Sequence, residues 1–329
     1  MEQLHKIDKS AWDCLQNALV QSVIAGGTAS MKYYRKPPVN IIEKDSENVS
    51  KNPSTTADLH ATLAILYALD HYLTPITSSL FACDYACLAE ETHYVKWFQQ
   101  QLPVKVFQKI EPATNFFSIK KGIRVIIDGI DGTGNFLRGI PLFCSAAALL
   151  IDNHLRVSAI YDPVHHVVYS AVLPGPENDI CQGAEAWEWH IANNHRIDLI
   201  HLNQKLEKKP FIHEAIGVHL TRSHPDKLRE FIQPNNAPSV LEKLSHASAG
   251  IYTFNSSFVA MIYVAQGALG AYINNTTHLW DVAAGEVLVR ACGGDVTDFH
   301  KKAIHYNTPL RVSVVAAKKH IYEMLYRCL

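Results

Sequence analysis

The chain has no hydrophobic run long enough to cross a bilayer. The longest, IPLFCSAAALLI at 140–151, falls short of the roughly 20 apolar residues a membrane helix needs. It has no excess of either charge: 30 Lys and Arg stand against 31 Asp and Glu, a formal net charge of −1. That balance offers no global attraction to a nucleic-acid polymer or a membrane surface. The seven cysteines (14, 83, 87, 144, 181, 292 and 328) form no CxxC pair and no regular framework. Their odd number rules out complete pairing within the chain, and a reduced, cytoplasmic setting is expected. The opening MEQLHKIDKSAWDCLQ lacks an apolar core, so no secretory signal is expected there. Neither an internal repeat nor a low-complexity linker breaks the 329 residues, of which 48% are hydrophobic. Such a chain has enough apolar material for a sizeable core.

Apolar residues at three-to-four spacing (Trp12, Leu15, Ala18, Leu19 and Val23) predict a helix over 10–34, capped by Ser10 and stopped by Pro37-Pro38. A polar loop is expected at 39–54. A second helix is expected over 56–73, with Thr55 or Thr56 at its N-cap and Asp58 in its first turn. A short helix is read at 92–101. Strand signals follow at 123–127, 143–151, 155–161 and 167–172, with turns at DNH and YDPVHH. The stretch 174–210 mixes Pro, Gly and Asn with Trp187 and Trp189 in no clear period. A strand at 215–220 leads into TRSHPDKLREFI (221–232), a turn entering a helix. A helix at 255–266, a strand at 268–273 and a helical apolar segment at 281–292 complete the pattern. Strands and helices in separate blocks favour layered α/β or α+β packing over a regularly wound parallel sheet. The 18 histidines are scattered, and the adjacent pair His165-His166 cannot share one face.

The stretch with chemical content is RVIIDGIDGTGNF, residues 124–136. A buried β-branched strand runs into Asp128 and Asp131, and two acids at a strand exit are costly without a positive partner. The two aspartates, with the Ile130 carbonyl between them, are oxygen donors suited to a hard cation such as Mg²⁺. DGTGNF reads as a turn opening a helix, which turns the N–H groups of Gly132 and Thr133 toward an anion such as phosphate. An Asp-Gly pair is also a common tight turn. Three more acidic sites lie at the edges of apolar or glycine-rich elements: Asp58, Glu90-Glu91, and Asp281 after Trp280.

DGIDGTGNF resembles the DPIDGTxNF signature of the inositol monophosphatase superfamily of Mg²⁺-dependent, lithium-sensitive phosphatases. AEET at 89–92 resembles its GEES element, STTAD at 54–58 its T-x-x-D turn, and LWDVAAGEVLVRACGG at 279–294 its C-terminal W-D-x-A-A-G signature. The resemblance implies an α-β-α-β-α sandwich of the sugar-phosphatase type. Residues 1–175 would form a metal-binding half, and 176–329 a half that brings Asp281 to the cleft. It also implies roles. Glu90, Asp128 and the Ile130 carbonyl would hold one Mg²⁺, while Asp128, Asp131 and Asp281 would hold a second. Glu90 would reach a weaker third metal or its water. Thr133, bonded to Asp58, would orient and deprotonate the attacking water, and no covalent phosphoenzyme is needed. Asp131, Gly132, Thr133, Asn274 and Asp281 would meet the substrate and its phosphate. Asp58 is also placed to cap a helix, Glu91 reads as a neighbour of the ligands or a surface residue, and Trp280 as packing that positions Asp281.

The chain departs from the pattern in places. Gly129 stands where the signature usually has proline, which loosens the turn between the aspartates. Ala89 and Thr92 replace Gly and Ser of GEES, the mid-chain K-G-x-G-A-x-x-N-G element is barely visible in CQGAEAWEWH, and Lys51 has no certain register. Inositol-specific members place a glutamate where this chain has Asn274. TRSHPDKLREFI and NSSF (255–258) are similar to segments of the 3′(2′),5′-bisphosphate nucleotidase branch, whereas Gly134-Asn135-Phe136 is nearer the inositol type. The resemblance therefore implies an inositol-1-monophosphatase-like enzyme acting on a small polyol or sugar phosphate. A bisphosphate nucleotidase, a fructose-1,6-bisphosphatase and a non-catalytic binding member are the alternatives. Members of this kind are often homodimers.

Overall fold

The computed structural model describes residues 7–36, 41–42, 54–176, 179, 181–205, 210–220, 238–307 and 311–329. Lys51 and the segment 221–232 lie outside the described residues. The strands are β1 (Ile41–Ile42), β2 (Ser54–Thr55), β3 (Tyr85–Ala89), β4 (Ile123–Asp131), β5 (Cys144–Ile151), β6 (His154–Asp162), β7 (Val167–Val172), β8 (Glu185–His190), β9 (His195–Asp198), β10 (Ala215–His219), β11 (Gly250–Tyr252), β12 (Ala271–His278), β13 (Gly294–Thr297) and β14 (Arg311–Lys318). The helices are α1 (Lys9–Met31), α2 (Thr56–Phe81), α3 (Val95–Gln101), α4 (Val104–Phe107), α5 (Ala113–Ser118), α6 (Thr133–Leu137), α7 (Leu199–Lys205), α8 (Val240–Ala247), α9 (Ser257–Ala265), α10 (Ala283–Ala291) and α11 (Tyr322–Tyr326).

Strands β3 to β9 form one sheet in sequential order, and a second sheet runs β11-β10-β12-β14-β13. Alternation along the strands divides most apolar side chains into three large cores, and a small fourth cluster joins Ala57 and Ala61 of α2 to Ile130, Phe136 and Phe143. Leu15, Leu19 and Val23 of α1 and Ile65, Leu66 and Leu69 of α2 meet Val125, Ile127, Leu149 and Val157 on one face of the large sheet. The opposite face, with Ile126, Ala146 and Ala148, packs on α9 and α10 through Phe258, Met261, Val287 and Leu288; Tyr272 and Val314 of the small sheet close that core from the other side. The far face of the small sheet is covered by Val240 and Leu244 of α8 and Leu325 of α11. The layers thus run helix, sheet, helix, sheet, helix, as the α-β-α-β-α expectation has it. No helix among the described residues is long and apolar enough to cross a membrane.

Element ends differ from the sequence reading for physical reasons. Helix α1 is capped by Asp8, which accepts from Ala11 N at 2.8 Å, rather than by Ser10, and it ends at Met31, before the two prolines. Helix α2 continues through Pro75 to Phe81. Tertiary burial of Leu73 and Phe81 in the outer core outweighs the one backbone donor that proline removes. Around the expected 39–54 loop, β1 and β2 pair antiparallel at its two ends.

Candidate active site

Strands β3 and β4 are parallel, with Ala89 in register with Ile127. Their carboxyl ends therefore emerge side by side, and Glu90 follows one as Asp128 ends the run of the other. Asp128 and Asp131 are three residues apart, so in a regular strand they would face opposite ways. A bulge changes this: Asp128 pairs with Ala146 and Asp131 with Cys144, leaving two residues of β4 opposite Ser145 alone. Ala146 and Cys144 lie on the same face of β5, and the extra residue turns both aspartates toward the middle helix layer. Asp281 arrives from the second sheet, on the short turn Leu279–Asp281 between β12 and α10.

One oxygen from each of Glu90, Asp128 and Asp281 lies within 4.8 Å of the others. Asp128 is 1% exposed, and neither of its buried carboxylate oxygens has a hydrogen-bond donor among the described residues. Burial, then the charges of Glu90 and Asp131, push its carboxyl well above the usual range. A buried, unsatisfied carboxylate beside two more is costly unless a cation meets it. Oxygen donors of this kind fit a hard divalent ion.

Asp281 is held differently. Its Oδ2 accepts from Thr277 Oγ1 at 2.6 Å and His278 N at 3.0 Å, and His278 Nδ1 lies 3.7 Å away. Burial works against its charge, yet the hydrogen bond and charge of His278, joined by Thr277, keep its carboxyl below the usual range. Trp280 stacks on His278 at 4.4 Å and packs against the middle core.

Asp131 sits apart from the three clustered acids. Its carboxylate accepts from Ser256 Oγ, from Ser257 N at 3.2 Å and from Phe258 N at 2.9 Å, at the start of α9. Burial and the charge of Asp281 raise its carboxyl to about 7, against the pull of those donors. Gly132 follows with φ +88, and a side chain there would meet Leu142 O at 2.8 Å, so only glycine lets α6 begin at this point.

Asp58 does two things at once. One oxygen completes a capping box with Thr55 at the start of α2. The other accepts from Thr133 Oγ1 at 2.9 Å, and the same hydroxyl lies 3.0 Å from Ile130 O. Glu91 is buried, not superficial, and accepts from Thr62 Oγ1 at 2.9 Å. Asn274 is 1% exposed, with its amide engaged inside the wall: Nδ2 donates to Tyr272 Oη at 3.1 Å, and Oδ1 accepts from Thr276 N at 3.1 Å. Tyr272 Oη also lies 3.0 Å from Ser257 Oγ.

The family model for the inositol monophosphatase family matches residues 11–329. The chain belongs to the inositol monophosphatase family. It is 27% identical over 178 residues to Nus factor SuhB of Pasteurella multocida, covering 54% of this chain and 57% of that protein. It is 31% identical over 174 residues to inositol monophosphatase 2 of Rattus norvegicus, covering 53% and 52%. The chain thus spans little more than half the length of the curated relatives it matches. In fold it is similar to the extragenic suppressor protein suhB of Bartonella henselae, with a TM-score of 0.67, 20% identity and coverage of 95% and 97%. The inositol monophosphatase family is typically metal-dependent, and the three-carboxylate cluster suits that requirement.

Sequence reasoning missed several residues that contact the clustered acids or the turns beside them: Thr62, Ser145, Thr277 and His278. Each acts through a contact distant in sequence or through a backbone turn, so no local pattern exposes it. Ser256 was within reach, as a serine just ahead of an apolar helical run. His219, which ends β10 in register with Asn274, was also missed. Burial lowers its imidazole against the pull of Asp281.

Proposed function

We propose that this chain is a Mg²⁺-dependent phosphoric monoester hydrolase that cleaves a small polyol or sugar phosphate, inositol 1-phosphate in the first instance. The observation that carries this reading is Asp128, buried with no donor among the described residues and flanked by Glu90 and Asp281. Glu90, Asp128, Asp281 and the Ile130 carbonyl would hold Mg²⁺, with Asp131 a further ligand once it turns from α9. The metal would supply charge neutralisation at the phosphate and a lowered pKa for water. Asp281 comes from the 176–329 half and the other acids from 1–175, so binding would draw the two halves together.

The chain's own residues then have distinct tasks. Thr133 donates its proton to Asp58 and offers its oxygen lone pairs to the attacking water. The water oxygen would bond to phosphorus in line as the P–O ester bond breaks, its proton passing through Thr133 to Asp58, while the departing alcohol oxygen takes a proton from solvent water. The Gly132-Thr133 backbone would receive the phosphate oxygens, and Glu90 would help to hold the water. Asn274 would shape the wall that meets the polyol. The same reading includes a homodimer, to be checked by light scattering.

The test is phosphate release from inositol 1-phosphate, 3′-phosphoadenosine 5′-phosphate and fructose 1,6-bisphosphate, each with Mg²⁺ and with EDTA. Release of phosphate from inositol 1-phosphate with Mg²⁺ alone, lost in Asp128→Asn, is the expected result. Preference for the nucleotide or the bisphosphate would move the substrate to that alternative. No release from any of the three by folded protein that binds Mg²⁺ would overturn the proposed substrate class.

A further inference from the structure

Gly129 is enclosed from both sides. On one side Ser145 Oγ of β5 donates to its carbonyl at 2.6 Å. On the other, the Asp58–Thr62 turn of α2 lies so close that a Cβ at 129 would stand 2.5 Å from Thr62 Oγ1, 3.0 Å from Asp58 O and 3.1 Å from Thr62 N. The absence of a side chain at 129 is what admits this approach. The Thr62 hydroxyl fills that space, and it donates its single proton to Glu91 Oε2 at 2.9 Å. Thr62 and Glu91 are both completely buried.

These contacts tie three parts of the site together. Glu91 adjoins Glu90, Gly129 adjoins Asp128, and Asp58 lies one helical turn before Thr62. One hydroxyl therefore touches the turn after β3, the bulge of β4 and the first turns of α2. We propose that Thr62 is a positioning residue for the divalent-cation site. In this view its hydroxyl, seated in the space left at Gly129 and bonded to Glu91, fixes Glu90 and Asp128 relative to Asp58. The inference rests on the metal reading above.

Partners that orient metal ligands from behind commonly change affinity about 10- to 100-fold when removed. Thr62→Val keeps the branched shape and deletes the donor; Thr62→Ser keeps the donor and deletes only a methyl group. Mg²⁺ titration by calorimetry, with melting curves to establish folding, separates the two. The expected result is a Mg²⁺ dissociation constant raised about 10-fold or more by Thr62→Val and less than about threefold by Thr62→Ser. Gly129→Ala is expected to weaken Mg²⁺ about 10-fold as well, and Thr62→Ala with Gly129→Ala to weaken it by clearly less than the product of the two single effects. Parent-like Mg²⁺ binding by folded Thr62→Val, or equal weakening by Val and Ser, would overturn the inference while leaving the metal reading intact. A parent protein that takes up no Mg²⁺ would overturn the metal reading, and this inference with it.

Discussion

Thr133 Oγ1 lies 2.9 Å from Asp58 Oδ1, across a gap of 75 residues in sequence. The hydroxyl stands at the start of α6, just past the bulge of β4, and the carboxylate stands in the first turn of α2. A threonine so placed can pass a proton to a carboxylate, and positioned general bases contribute about 10²- to 10⁴-fold. Thr133→Ala is expected to lower kcat about 100-fold or more, with Mg²⁺ binding little changed, while Thr133→Ser retains most of the activity. Steady-state kinetics beside a Mg²⁺ titration distinguishes this from a loss of metal.

The two roles of Asp58 are separable. Thr55→Ala removes the capping partner of α2 and leaves the Thr133 contact in place. Loss of such a cap costs about 1 kcal/mol. Thr55→Ala should therefore lower stability in a urea melt by about that amount and lower kcat far less than Thr133→Ala does.

Without metal, the acidic site makes stability depend on pH in an unusual direction. Asp131 rises from 3.8 to about 7, through burial and the charge of Asp281. The folded state then holds a proton that the unfolded chain has released between those values. Stability contributed by this group is present at low pH and is lost as pH rises toward 7. In EDTA the contribution of Asp131 should lower Tm between pH 5 and pH 7, and Asp131→Asn should flatten that part of the slope. Saturating Mg²⁺ should raise Tm most at the upper end, where the carboxylates are ionised. Differential scanning calorimetry across pH, with EDTA and with Mg²⁺, gives all three comparisons.

Asn274 donates to Tyr272 and accepts from the Thr276 backbone while almost fully buried. Asn274→Ala leaves Thr276 N without that acceptor, at a cost of about 1–3 kcal/mol. A destabilised protein whose KM for inositol 1-phosphate changes less than its melting midpoint would assign this residue to the wall. A raised KM at unchanged stability would assign it to direct substrate contact.

The sequence exposed the strand that carries Asp128 because Val125, Ile126 and Ile127 form an unbroken β-branched run ahead of it. It also placed Thr55 and Asp58 at the head of α2, since capping residues act locally. It did not expose the bulge: Gly129 and Ile130 stand opposite Ser145 only once β5 is paired. Nor did it separate Asp131 from the three clustered acids, because the donors of α9 lie more than 120 residues away. Strand β8 escaped for another reason. Its buried positions are Ala186 and the charged Glu188, which pairs with His190 and Gln266, while Trp187 and Trp189 are only half-buried. The polarity expected of an alternating strand is inverted there, so EAWEWH shows no strand signature.

The claim that these acids form a cation site is tested most directly by Mn²⁺ titration, followed by electron paramagnetic resonance with Mg²⁺ as competitor, in the parent and in Asp128→Asn. Saturable Mn²⁺ binding to the parent, displacement by Mg²⁺ and loss of that binding in the folded variant are the expected results. Equal Mn²⁺ uptake by parent and variant, or none by either, would contradict it.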